Sequence, residues 1–182
     1  SAEALQAGAR AVMLDPALVS AHNNIAVVYI GGGDFVRGEI ACRRALSLAP
    51  DFAEAHNNLG NALRGQGKLD EAEGAFRRAM AIDPDYFEAL ANCGAMLRDA
   101  GRADTAEPIL RKALSLRPGS VDAYVQLAIN CQMQSEPRGG TADIKASDEA
   151  LNLLTRAVAL DPTRGEAFLL IARILAGRGK TQ

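Results

Sequence analysis

The sequence predicts an all-α solenoid of stacked helix–turn–helix hairpins, and three observations carry that prediction. Pro16, Pro50, Pro84, Pro118 and Pro162 stand at gaps of 34, 34, 34 and 44 residues, and a step near 34 is the period of a two-helix repeat. Small residues recur in register with those prolines. Gly33, Gly67 and Gly101 keep the same spacing, each where a first helix must close in a left-handed residue. One hairpin of this size cannot bury its own apolar face, so successive hairpins must stack.

Ending each unit two residues past its proline divides the chain in order. Residues 1–18 match the second helix of a preceding unit; 19–52, 53–86, 87–120 and 121–164 are complete units; 165–182 match the first helix of a following one. Half-units at both ends point to a piece of a longer array, since natural arrays end in polar capping helices. In the second unit the helices are expected over Ala53–Gln66 and Leu69–Ile82. Asp-Pro then stops the second helix, because proline lacks the donor and restricts the residue before it. Column 8 reads Ala26, Gly60, Gly94, Ala128, Ala172; column 20 reads Ala4, Gly38, Ala72, Ala106, Ala150; column 27 reads Ala11, Ala45, Ala79, Ala113, Ala157. Small side chains let helices approach closely there. Ile25, Leu59, Cys93, Leu127 and Ile171 fill column 7, and Cys42, Phe76, Leu110 and Leu154 fill column 24. Gly38, inside a second helix, is expected to cost about 1 kcal/mol against alanine. Pro108 predicts a small kink in the second helix of the third unit. The fourth unit is 10 residues long in excess, expected as an inserted loop near 134–143, where Pro137 and Gly139-Gly140 stand.

Composition narrows the function classes. The net charge is −2 with both signs dispersed, unlike the basic footprint that phosphate backbones require, so nucleic acid is not an expected partner. Apolar runs break well before the ~18 residues of a membrane span, and no membrane partner is expected. Three cysteines at irregular spacing, Cys42, Cys93 and Cys131, suggest neither a disulfide framework nor a metal knuckle. They fall in core columns, as inert buried thiols. No signal segment opens the chain, and a reducing, cytoplasmic setting is expected. Sixteen arginines against four lysines, with abundant Ala and Gly, hint at a GC-rich bacterial genome. No nucleophile triad, phosphate loop or carboxylate pair stands out, so neither catalysis, a cofactor nor a metal is expected. His22 and His56 share column 4, where side chains ordinarily pack between helices.

The segment from Ala53 to Pro84, with Leu59-Gly60, Ala72, Phe76, Ala79 and Pro84 at fixed offsets, resembles the tetratricopeptide repeat, and the resemblance extends over the whole chain. It departs where His22, His56, Leu90, Tyr124 and Phe168 replace a frequent tryptophan, and at Gly38. The family implies a right-handed superhelix whose first helices line a concave face, with columns 2, 5, 6, 9 and 12 turned outward.

Column 6 reads Asn24, Asn58, Asn92, Gln126. Asparagine is a mediocre helix former, so its repetition at an outward mid-helix site asks for a reason. An amide offers both a donor and an acceptor, which suits the backbone of an extended peptide. The segments Ala21–Tyr29 and Ala53–Leu63 are similar to the asparagine ladder of O-linked N-acetylglucosamine transferases, and that resemblance implies that Asn24, Asn58 and Asn92 hold partner backbone. Gln126 departs from the ladder and Leu170 breaks it. The other reading is that these amides only pack between helices. Asn23, Asn57 and Asn61 add amides; Arg64 and Arg98 could pair with carboxylates; Glu54, Glu88 and Asp122 form an acidic rim. The two-lysine clamp of chaperone-binding relatives is missing, since column 5 reads Asn23, Asn57, Ala91, Val125.

Three functions follow as expectations. The first is a scaffold that binds a protein or an extended peptide. The second is the substrate-recruiting arm of a larger bacterial glycosyltransferase or sulfotransferase. The third is self-assembly through the terminal half-units, where Leu169, Leu170, Ile171, Ile174 and Leu175 lack a covering second helix.

Overall fold

A computed structural model describes residues 2–135 and 144–178; the expected insertion lies, from residue 136 on, outside the described residues. Among the described residues there are ten helices and no strand. The chain forms two compact units, Ser1–Met96 and Leu97–Gln182.

The first unit contains α1 (Ala2–Leu14), α2 (Val19–Gly31), α3 (Phe35–Leu48), α4 (Ala53–Gly65), α5 (Leu69–Ile82) and most of α6 (Phe87–Asp99). Consecutive helices from α1 to α5 pack against each other, and α2 lies beside α4. The second unit holds the end of α6, then α7 (Ala103–Leu116), α8 (Val121–Ser135), α9 (Ile144–Leu160) and α10 (Gly165–Arg178). Here α7 packs on α8, α8 on α9, and α9 on α10. Each step of the proline period from 19 to 164 therefore holds one helix pair, an all-α tetratricopeptide-type solenoid architecture.

Two turns repeat, and each has a chemical cause. Gly33, Gly67 and Gly101 adopt φ of +79°, +76° and +76°. Around the first, Gly33 N–H donates to the Ile30 carbonyl and Asp34 N–H to the Tyr29 carbonyl; Gly67 and Lys68 do the same to Arg64 and Leu63, and Gly101 and Arg102 to Arg98 and Leu97. This pairing satisfies carbonyls that the helix end leaves open. The Asp-Pro turn closes after the second helix. In three copies the aspartate carboxylate accepts from the backbone two residues on: Asp15 from Ala17, Asp83 from Asp85, Asp161 from Thr163. Proline supplies the fixed φ of the turn, and the carboxylate supplies its hydrogen bond.

The two histidines of column 4 belong to the same device. His56 Nε2–H donates to the Pro50 carbonyl at 2.8 Å, and His22 Nε2–H to the Pro16 carbonyl at 3.0 Å. A carbonyl only accepts, so each ring must carry its proton on Nε2. Each histidine thus ties the first turn of a new pair to the turn before it.

The core follows the small-residue columns. Ala26, Ala45, Ala72, Ala79, Ala106 and Ala157 are fully buried, as is Phe76. A methyl placed on Gly60 would meet the Phe76 ring at 2.6–2.8 Å, so glycine makes the room for that ring. In the preceding pair the volumes differ: Ala26 packs with Cys42 and Ala41. The expected cost of Gly38 also has a reason, since a Cβ there would stand 2.6 Å from Ile30 Cγ1. Pro108 is exposed and α7 runs unbroken through it. Its missing N–H removes the donor to the Asp104 carbonyl, and Asp104 is exposed, where water can take that place.

A polar knot ties α3 to the turn between α4 and α5. Glu39, only 5% exposed, accepts from Gln66 Nε2 at 2.6 Å and Lys68 Nζ at 3.1 Å, and also binds Arg43. Burial works to raise its pKa, but the Gln66 and Lys68 hydrogen bonds and the Arg43 and Lys68 charges outweigh it, leaving the carboxyl below its ordinary range.

Candidate peptide-binding site

The candidate amides of the first unit sit on its three first helices, α2, α4 and α6. Helical spacing sets them side by side. Asn23 and Asn24 are adjacent on α2, and Asn57 and Asn58 repeat that doublet on α4. Asn58 Nδ2 donates to Asn23 Oδ1 at 2.9 Å, and Asn92 Nδ2 donates to Asn57 Oδ1 at 3.0 Å. Column 6 of one pair therefore reaches column 5 of the pair before it. Asn57 also bonds the Tyr86 hydroxyl, whose pKa burial pushes up to about 12 with help from the Glu54, Glu88 and Asp83 charges.

This relay divides the asparagines into two kinds. Asn23 and Asn57 are buried, at 4% and 5% exposure, and act as acceptors between helices. Asn58 and Asn92 are half-buried and Asn24 is exposed. Each amide carries two donor hydrogens and a carbonyl oxygen. After the relay bond, Asn58 and Asn92 each keep one N–H and the carbonyl for another group, while Asn24 keeps its whole amide. The doublets and their 34-residue offset were visible in the sequence; that column 5 turns inward was not.

Asn61, one helical step further along α4, has a buried Oδ1 without a hydrogen-bond partner. Its column is otherwise apolar in the neighbouring pairs, with Val27, Ala95 and Ile129. Arg64, also on α4, is exposed.

In the second unit the candidates behave differently. Arg98 is buried, at 8% exposure. Its guanidinium donates to Gln126 Oε1 and, at 2.7 and 3.0 Å, to Asp99 Oδ1. Three of its five N–H groups are thus committed within the unit. Gln126 is half-buried and keeps its NH2. Asp122, on the acidic rim, is engaged by Arg164.

The thiols have little nucleophilic footing here. Cys42, Cys93 and Cys131 are all buried. Burial, with the Glu39 charge, pushes the Cys42 thiol up to about 12, and burial raises Cys131 to about 11. Among the described residues no group of three His, Cys, Asp or Glu side chains could hold a metal, and no helix is long and apolar enough to cross a membrane.

Residues 51–119 match the family model of the tetratricopeptide repeat. Among curated proteins, none matches the chain in sequence. Solved structures do match in fold. YrrB, described as a TPR protein with an unusual peptide-binding site, superposes with a TM-score of 0.75 at 20% identity, over 97% of this chain and 86% of that one. MamA from Desulfovibrio magneticus RS-1 gives 0.76 at 17% identity, over 88% and 85%. PilF of Pseudomonas aeruginosa gives 0.77 at 21% identity, over 91% and 71%. By the family model residues 51–119 are tetratricopeptide repeats, and the chain shares the fold of these solved structures.

Proposed function

We propose that the chain is a protein-interaction scaffold that holds an extended peptide across the first-helix face of its first unit, gripped by Asn24, Asn58 and Asn92. The observation that carries this reading is the relay. It fixes the Asn58 and Asn92 amides in place while leaving each a donor and an acceptor, the pair that an extended backbone needs. Side chains held before binding lose less entropy on binding. Arg64 supplies an exposed cation beside them, suited to a carboxylate on the guest. The orphaned Asn61 Oδ1 supports a polar guest too, because a stability-driven choice there would be the apolar residue its neighbours carry. YrrB lends a precedent for peptide binding on this fold.

The test begins with a phage-displayed library of random peptides, panned on the 182-residue chain. Recovered peptides are then titrated by calorimetry against the wild type and Asn58→Ala/Asn92→Ala. Affinity should fall by roughly a hundredfold in the double variant, about two charge-free hydrogen bonds' worth. Equal affinity for both proteins would rule the amide row out. Melting curves separate lost binding from lost folding, since the substitutions also strip the relay.

A further inference from the structure

We infer that the cleft between the first two proline turns, beside Arg44, docks a segment of a partner protein that presents an acidic residue among bulky apolar ones. This site uses none of the amides proposed above to hold a guest. It lies wholly within the first unit, and both of its walls are turns between described helices.

Equivalent positions one repeat apart show what is different there. Arg78 Nη2 on α5 donates to Asp51 Oδ1 at 2.6 Å, bracing that helix on the turn before α4. One period earlier the same two positions hold Arg44 and Ala17. The two turns are built alike. Leu18 N–H donates to the Asp15 carbonyl and Phe52 N–H to the Ala49 carbonyl, and His22 and His56 bind the two proline carbonyls. Ala17 thus takes the place of Asp51 without supplying a carboxylate. Arg44 is exposed, and among the described residues its guanidinium has no partner.

At Ala17 a cleft of about 710 Å³ opens between the turns, walled by Leu18, Val19, Pro50 and Phe52. Its size and apolar walls suit a bound group. One repeat further on the corresponding positions are acidic: Asp51, Glu54 and Asp83 stand where the cleft has Ala17, Ser20 and Ala49. The two carboxylates that the cleft does carry are engaged, Asp15 by Ala17 N–H at 3.0 Å and Asp51 by Arg78. The stripe of α3 that carries Arg44 also shows Ile40 and Val36, each more than half exposed, where α5 has Gly74 and Asp70. Apolar surface therefore flanks the cation on two sides.

These features choose the occupant. A guanidinium without a partner favours a carboxylate, and the bulky side chains around it favour apolar neighbours of that carboxylate. A backbone donor is open as well. Ala49 replaces the aspartate that closes the first turn, so Asp51 N–H has no acceptor among the described residues. A guest carbonyl would satisfy it. A peptide segment brings carboxylate, apolar side chains and carbonyl together.

Subtractive peptide display on the 182-residue chain tests this. A random-peptide library is first depleted on Ala17→Asp, which returns a carboxylate to Arg44, and is then selected on the wild type. The depletion also removes peptides that bind the first-helix face, which Ala17→Asp leaves intact. Ala17 and Arg44 are exposed, so Ala17→Asp and Arg44→Gln should keep the circular dichroism and melting curve of the wild type. Surviving peptides should carry Asp or Glu next to Leu, Ile or Phe. Calorimetry should show them binding Arg44→Gln at least roughly tenfold more weakly. Replacing the peptide's acid by its amide should weaken binding to the wild type as much, with little further loss on Arg44→Gln. An empty pool after depletion, survivors without an acidic residue, or equal affinity for wild type and Arg44→Gln would each overturn the inference. So would N-acetylphenylalanine binding as tightly as the peptides, since the occupant would then be a small carboxylate and not a partner protein.

Discussion

Gly60 and Phe76 show how a single missing methyl decides a core. The ring sits where a Cβ on residue 60 would come within 2.6 Å, and the ring is fully buried, with no free side to retreat to. Gly60→Ala should therefore destabilise the chain by about 1–3 kcal/mol, the usual penalty of overpacking, read as a lower urea midpoint. Adding Phe76→Leu should recover part of that loss, since the smaller side chain vacates the contested space. Glu39 makes a different residue-scale claim. Its folded pKa lies below the ordinary glutamate value of 4.5, so the unfolded chain binds the proton first as pH falls. The stability it contributes is complete above the unfolded value and is lost as pH drops through the folded one. Glu39→Gln should lower the melting temperature at neutral pH, and the gap to wild type should narrow below about pH 4.

Each helix pair is closed by a turn whose residues the sequence announces. Gly67→Ala forces an L side chain into φ of +76°, a change expected to cost about 1 kcal/mol. Hydrogen exchange should show that loss concentrated at the end of α4. Such turns were legible in advance because their chemistry is local: a left-handed glycine, or an aspartate two residues before the N–H from which it accepts. Helix extents were legible for the same reason, with α5 spanning Leu69–Ile82 as the pattern of columns requires. The hydrogen bonds between pairs were not legible. Asn92 meets Asn57 across 35 residues, and that Asn57 is buried while Asn58 is only half-buried is decided by the fold, not by the local sequence. Arg98 is the harder case. In the sequence it is the counterpart of Arg64; in the fold it is buried against Gln126 and Asp99, because glutamine at 126 reaches further than an asparagine could.

At the scale of the whole chain, stability in a repeat array is a sum over neighbours, so helices short of a neighbour should open first. Amides of α1 and α10 are expected to exchange faster than those of α4 and α5 in the 182-residue chain. The buried cysteines offer a way to watch that order. They sit on three different pairs, Cys42 in α3, Cys93 in α6 and Cys131 in α8, and each is sealed from solvent. A thiol reagent added to the native chain can therefore modify a given sulfur only after its own hairpin has come apart. Mass spectrometry of partly labelled chains would turn those sulfurs into three independent clocks, timing how unravelling spreads from one part of the array to the next without any probe being installed.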